Sequence, residues 1–282
     1  VGTPRARRAA LLAVALVAAI LTAPVPASAA PLPAEPVATR VAMPPADVAF
    51  DYQLGGAYPP AAAVGIVARD RTERPVPGRY NVCYVNGFQT QPGTRAWWKR
   101  HHPQLLLRTR AGRLVVDSAW GEVLLDTSTA TKRRTLARVV GRWMEGCASH
   151  GFQAVEPDNL DSWTRSGHRL SRADNVAFAR LLVRRAHASG LAIGQKNAAS
   201  IARTGPSLGF DFAVVEECQV YAECGAFTRA YGARVYEIEY VDNGGRANFD
   251  RACAARGARI SIAYRDRDLV PRGSPGYVAA WC

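Results

Sequence analysis

The sequence predicts an α/β fold, a single (β/α)8 TIM-like barrel. Three observations carry that expectation. Eight short apolar runs of strand length follow one another along the chain, and helical periodicity fills several of the intervals between them. Once an N-terminal leader is set aside, about 240 residues remain, a natural size for one such barrel.

The strand candidates span 50–54, 64–68, 80–86, 153–158, 191–197, 211–217, 235–240 and 259–264. Between the third and fourth, Leu136, Val139, Val140, Trp143, Met144 and Cys147 recur at helical spacing, and the pattern ends before Gly151. The next helix is expected to start at a Ser171 cap with Asp174 three residues on. It would bury Phe178, Leu181 and Leu182 and stop at Gly190. Alternating β and α segments favour a parallel sheet, and eight such units favour closure. An open doubly wound sheet is the alternative, but no GxGxxG follows any strand. The stretch 91–126 is long for a loop and is expected to pack over the barrel mouth.

The leader has the make-up of a secretory signal. Arg5, Arg7 and Arg8 precede a continuous apolar run over 9–21, and Ala27-Ser28-Ala29 offers a small-residue cleavage site, so residues 1–30 are read as removed on export. Pro31, Pro33, Pro36, Pro44 and Pro45 mark 31–48 as an unstructured lead-in, leaving 49–282 as the barrel domain. No later segment is long and apolar enough to span a bilayer, so a secreted protein without a stable membrane anchor is expected.

Six cysteines in an exported chain read as disulfides, with fifteen pairings open. Cys218–Cys224 would staple a short loop and Cys253–Cys282 would pin the C-terminus, which leaves Cys83 with Cys147. No CxxC or Cys/His pair stands at ligand spacing, so neither a metal nor any other cofactor is expected. The formal charge of +13 invites a nucleic-acid reading. The basic residues, however, are dispersed along helical stretches such as Lys132, Arg133, Arg134, Arg138 and Arg142, which suits a solvated helix face. Nucleic acid is not the expected partner.

In a barrel the chemistry sits where the strands end. Here those ends carry Asp51, Asp70, Asn86, Asp158, Lys196, Asn197, Glu216, Glu239 and Asp266, a mostly acidic set on a basic chain. Such a mouth suits a cationic group, carboxylate chemistry, or both. Period two puts Glu156 and Asp158 on one strand face, while Glu216 and Glu217 point to opposite faces. Two carboxyl groups flanking a scissile bond are what glycoside hydrolysis needs, and Asp158 with Glu216 is the candidate pair. Their carboxyl groups should stand about 5–6 Å apart for a retaining reaction. Glu156 and Glu217 read equally as ion-pair partners. Lys196 could form a Schiff base, but more simply keeps a neighbouring carboxylate ionised. Tyr52, Tyr84 and Tyr240 lie beside the acids, where they could stack on sugar or pack the core. Ser128 and Ser162 have no nearby His, which disfavours acyl transfer.

At these residues the chain resembles glycoside hydrolase family 114, the endo-α-1,4-polygalactosaminidases. The resemblance rests on Phe50-Asp51-Tyr52-Gln53-Leu54-Gly55-Gly56, Tyr84-Val85-Asn86-Gly87-Phe88-Gln89-Thr90, Glu156-Pro157-Asp158-Asn159-Leu160-Asp161, Gly194-Gln195-Lys196-Asn197, Glu216-Glu217-Cys218 and Ile238-Glu239-Tyr240. It implies a TIM-like barrel without a metal cofactor, acting on galactosamine-containing exopolysaccharide, and a monomer is expected. It also implies Asp158 as nucleophile and Glu216 as acid/base of a retaining reaction. Substrate contacts are expected from Asp51, Tyr52, Gln53, Tyr84, Asn86, Glu156, Asn159, Asp161, Lys196, Asn197, Glu217, Glu239, Tyr240 and Asp266. The rival readings are a non-catalytic barrel that holds a cationic amino-sugar polymer, and a glycosidase for another hexosamine linkage.

Overall fold

Each of the eight apolar runs becomes a strand, and apolar residues on both faces explain why most of them read as nearly continuous. In this computed structural model, which describes residues 1–2 and 41–282, the parallel strands are β1 (Ala49–Gln53), β2 (Val64–Asp70), β3 (Tyr80–Asn86), β4 (Ala154–Asp158), β5 (Ala192–Lys196), β6 (Phe212–Glu216), β7 (Val235–Tyr240) and β8 (Ser261–Arg265). A short β9 (Ala279–Trp281) runs antiparallel to β8. The helices are α1 (Arg95–His101), α2 (Ala130–His150), α3 (Arg172–Ala188), α4 (Ala199–Ala202), α5 (Gly205–Leu208), α6 (Cys224–Tyr231) and α7 (Gly245–Arg256). Nearly all of the expected signal segment, and the lead-in up to residue 40, lie outside the described residues.

Alternate residues of each strand serve two cores. Phe50, Tyr52, Ile66, Ala68, Val82, Phe212, Val214, Tyr236 and Ile238 fill the barrel interior. Cys83, Val85, Val155, Ile193, Val215 and Ile262 face out, against Leu136, Val140 and Met144 of α2 and Phe178 and Leu182 of α3. Gly194 shows how tightly the interior is filled, since a Cβ there would lie 2.6 Å from the Phe212 ring. The helix ends follow the sequence signals. Thr129 caps α2 by accepting from Lys132 N, and Gly151 closes it at φ 94°. Ser171 and Asp174 form a capping box on α3.

The seam between β8 and β1 is sewn by side chains. Fully buried Arg265 donates to the Asp51 carboxylate at 3.1 Å, to Tyr52 O, to Val278 O at 3.0 Å and to Val270 O at 3.2 Å. Trp281 of β9 donates its indole N–H to Phe50 O at 2.7 Å.

Two stretches differ from expectation. Residues 41–48 lack regular structure but are docked rather than loose. Tyr80 and Tyr236 donate to Ala42 O and Pro45 O, each at 2.7 Å, Val48 N donates to Ser261 Oγ, and Val41 and Val48 pack on the interior cluster. The N-terminal end of the barrel exposes hydroxyls and apolar side chains that need covering, and proline content says nothing about docking. The stretch 91–126 is also no simple loop. It holds α1 and a short 3-10 turn, then an antiparallel arrangement bridged at Leu106–Leu125, Arg108–Leu114 and Val116–Val123.

The three disulfides pair as expected: Cys83–Cys147 joins β3 to α2, Cys218–Cys224 staples the loop after β6, and Cys253–Cys282 ties the C-terminus to α7. Cys218, Cys224 and Glu237 cluster closely enough to share an ion, but the two sulfurs are bonded to each other and offer no thiolate. Chain entropy predicts that replacing Cys83 and Cys147 by Ser costs about 4 kcal/mol, against about 2 kcal/mol for the short Cys218–Cys224 loop. Guanidinium midpoints of the two double variants check this. Equal losses would place the stabilisation in native contacts instead.

Candidate active site

Three neighbouring strands end on a charged residue and then turn through a left-handed backbone. Asp158 is followed by Asn159 (φ 65°), Lys196 by Asn197 (φ 46°) and Ala198 (φ 61°), and Glu216 by Glu217 (φ 59°). Asn tolerates that conformation, whereas Ala and Glu are held in it at a cost of about 1–2 kcal/mol each. Each turn leaves the charged residue last on the inward face of its strand. Glu156 lies two residues below Asp158 on the same face.

Lys196 joins the set. Its ammonium, 2% exposed, donates to Glu156 Oε1 at 2.9 Å and to the Tyr52 hydroxyl at 2.6 Å. It also lies 3.3 Å from Glu216 Oε2 and 4.0 Å from Asp158 Oδ1. Burial works against that charge, but Asp158, Glu156 and Glu216 outweigh it and hold the Lys196 pKa well above the ordinary lysine value. Its contacts with three carboxylates make Lys196 an ion-pair partner, and an ammonium is no nucleophile for a Schiff base.

The carboxylates form two layers. Glu156 is fully buried beneath the ammonium and accepts from the Tyr52 hydroxyl at 2.7 Å; burial pushes its pKa up, with Lys196 pulling the other way. Asp158 and Glu216 reach solvent, with 19% and 26% of their side chains exposed. Asp158 accepts from the Tyr84 hydroxyl at 2.8 Å and from Asn159 N at 2.6 Å. Glu216 accepts from the Tyr240 hydroxyl at 2.6 Å and from Asn197 Nδ2 at 3.0 Å, while Glu216 N donates back to Asn197 Oδ1 at 2.8 Å. Burial raises the Glu216 pKa, but Lys196, Tyr240 and Asn197 together bring it below the ordinary carboxylate value.

Because Lys196 Nζ touches both, Asp158 Oδ1 and Glu216 Oε2 are no farther apart than those two contacts laid end to end. That limit admits the roughly 5–5.5 Å of a retaining pair and the lower edge of the inverting range, and falls short of 8–9 Å. Both groups stand on the same side of the barrel wall. Two solvent-reachable carboxylates over a buried cation can supply a nucleophile and a proton donor across a small gap.

The model of glycoside-hydrolase family GH114 matches residues 31–282. This chain belongs to that family. It is a glycoside hydrolase. The match also spans the docked residues 41–48, in keeping with their place on the barrel. Among solved structures, the chain is similar to Aspergillus fumigatus Ega3 in complex with galactosamine, at 21% identity and TM-score 0.68, over 86% of this chain and 98% of that one. It is also similar to the glycoside hydrolase domain of Pseudomonas aeruginosa PelA, at 16% identity and TM-score 0.54, over 80% of this chain and 97% of that one. At these identities the likeness speaks for a shared barrel. No curated protein sequence matches the chain.

Of the residues singled out in the sequence of this GH114 protein, Tyr52, Tyr84, Glu156, Asp158, Lys196, Asn197, Glu216 and Tyr240 converge at the mouth. Asn86 and Asn159 bond to each other at 2.9 Å beside Asp158. Asp161 lies outside the cluster, paired with Arg165 at 2.9 Å. Glu217 faces away from Lys196 and pairs with Arg267, whose guanidinium stacks 4.0 Å over the Tyr240 ring. Four others are not brought to the mouth, where the strand-end reading had put Asp51, Glu239 and Asp266 and the family resemblance had put Gln53. Asp51 and Gln53 point outward from β1 and bind each other, Tyr58, Arg69 and Arg265. Glu239 faces α7, accepting from Asn248 at 2.7 Å and from Gln219 N at 2.9 Å. Asp266 accepts from Val270 N and Val278 N. Nearness to a strand end gives depth along the barrel, but the strand's period decides which face is served. Sequence reasoning missed Arg165 and Asp117, which anchor Asn159; they lie 48 residues apart, with no local pattern linking them.

Lys196→Met should lower kcat/KM by at least about 100-fold. Glu216 loses its main depressing charge, so the limb of the pH–rate profile that reports loss of its proton, the alkaline one for a proton donor, should move to higher pH. A profile that keeps its alkaline limb would show that Lys196 does not set it.

Burial, helped by the neighbouring Glu237, pushes the Glu239 carboxyl up to about 8, against the pull of the Gln219 N–H. A raised carboxyl binds its proton more tightly folded than unfolded, so its contribution falls as pH rises from about 4.5 towards 8. Glu239→Gln should flatten the decline of unfolding free energy over that window, and urea unfolding at several pH values measures it.

Proposed function

We propose that this glycoside hydrolase is a secreted, endo-acting enzyme that cleaves α-1,4-galactosamine-containing exopolysaccharide with retention, using Asp158 and Glu216. The observation that carries the proposal is the convergence of three carboxylates on the single ammonium of Lys196, two of them open to solvent. That arrangement leaves negative charge in excess at the mouth of a basic protein. A sugar whose amine is free of acetyl carries an ammonium and is attracted there. The galactosamine bound in the similar Ega3 structure supports the same substrate class. Three disulfides favour an oxidising compartment outside the cell.

In the proposed reaction Asp158, oriented by Tyr84 and Asn159 N, attacks the anomeric carbon. Glu216 gives its proton to the departing glycosidic oxygen. The resulting glycosyl ester is then opened by water, whose proton returns to Glu216 as Asp158 leaves as carboxylate. In the free enzyme Lys196, Tyr240 and Asn197 favour ionised Glu216, whereas burial is the strongest opposing influence. A polymer covering the mouth removes water and strengthens that influence, so Glu216 gains its proton as substrate binds. The alkaline limb of kcat should therefore stand at higher pH than that of kcat/KM, which reports the free enzyme. Coincident limbs would remove Glu216 from the acid role.

The deciding experiment is mass spectrometry of soluble products from partly deacetylated α-1,4-galactosaminan. Wild type should release short oligomers; Asp158→Asn and Glu216→Gln should release at least about 1000-fold less. Oligomers from either variant at the wild-type rate would break the pair. No oligomers from wild type on this polymer, with cleavage of another hexosamine polymer, would overturn the substrate.

A further inference from the structure

Trp120 is 65% exposed, and alone among the six tryptophans, all described, it lies open on the surface. It sits in a turn of the segment between β3 and α2, which places it on the C-terminal face of the barrel, where the reacting carboxylates are. The turn is tightly built for a surface tip. Asp117 N donates to Glu122 O and Gly121 N to Asp117 O, each at 2.8 Å, and Ala119 N donates to the Asp117 carboxylate at 3.0 Å. Arg95 donates to Gly121 O.

The same turn is strapped to the nucleophile candidate. Asp117, its side chain 1% exposed, accepts from Arg165 Nε at 2.6 Å. Arg165 Nη2 donates to Asn159 Oδ1 at 2.9 Å, and Asn159 N donates to Asp158 Oδ1 at 2.6 Å. A buried carboxylate, a partly exposed guanidinium and a buried amide therefore fix the turn that carries the exposed indole relative to Asp158. An indole offers a flat apolar face, and the C–H face of a pyranose is its natural complement.

We propose that Trp120 is a stacking platform for a sugar unit of the polymer beyond the bond being cleaved, kept in register with Asp158 by the Asp117–Arg165–Asn159 strap. The inference rests on the polysaccharide reading of the site and adds a specificity residue to it. Trp120 makes long chains better substrates than short ones. It touches no reacting atom, so it acts on binding and not on the chemical step.

The test compares wild type, Trp120→Ala and Trp120→Phe on partly deacetylated α-1,4-galactosaminan and on a size series of its oligomers. Trp120→Ala should raise KM on the polymer about tenfold with kcat retained, and the preference for long over short oligomers should shrink. Trp120→Phe, which keeps a flat ring, should recover most of the loss. Quenching of indole fluorescence on adding long oligomers to Asp158→Asn should diminish in Asp158→Asn/Trp120→Phe. An unchanged KM for Trp120→Ala, or an equal loss of kcat on the shortest and longest substrates, would overturn the platform. If wild type leaves galactosaminan intact, the substrate reading fails instead. The same comparison on whichever hexosamine polymer wild type does cleave then decides the platform by the same outcomes.

Discussion

The ammonium of Lys196 is the element on which the site depends. Three carboxylates approach it from two strands, and without it Glu156 would be a buried acid with little but the Tyr52 hydroxyl to satisfy it. An ion pair so deep is not a cheap source of stability, because both charges lose their hydration. Its value lies in charge placement. A fixed positive centre beneath the mouth lets two carboxylates stand close together, one of them held below its ordinary pKa, without being driven apart by their own repulsion. Three turns in left-handed backbone then keep those groups from swinging out of line.

The rest of the barrel exists to hold that layer rigid. Its interior is apolar from Phe50 and Tyr236 up to Tyr52 and Tyr240, and the tyrosine hydroxyls mark the change from packed core to polar top. Aromatic residues are suited to that boundary, since the ring packs while the hydroxyl reaches a carboxylate. At the bottom, Val41 and Val48 close the opposite end. At the seam Arg265 supplies hydrogen bonds where β8 and β1 meet. Its partner Asp51 is thereby a structural acid, although it stands in a motif shared with true mouth residues.

Acidic residues near the strand ends thus have two fates, divided by a single rotation of the strand. Glu216 faces the ammonium, while Glu217, the next residue, serves Arg267. Tyr240 orients Glu216, while Glu239 beside it is sealed against α7 with a raised pKa. A perturbed carboxyl by itself does not mark chemistry. The perturbed carboxyl of Glu216 matters because it is also open to solvent and shares a cation with a second acid.

Much of this protein was legible in its sequence, because the signals involved are local. Hydrophobic period and length announced eight strands, Ser171 with Asp174 announced a cap, and cysteine spacing announced the staples. Period two along β4 put Glu156 under Asp158, and the order of acid, lysine and acid along the chain put all three on consecutive strands. What no local pattern could decide was which side chains meet across the barrel. That Lys196 is shared and that Arg165 ties a distant turn to Asn159 are consequences of tertiary packing, and that Arg265 reaches over two hundred residues back to Asp51 is a consequence of closure. Closure brings together residues far apart in sequence, and hydrogen bonds and charge act on distance in space, which only the folded barrel sets.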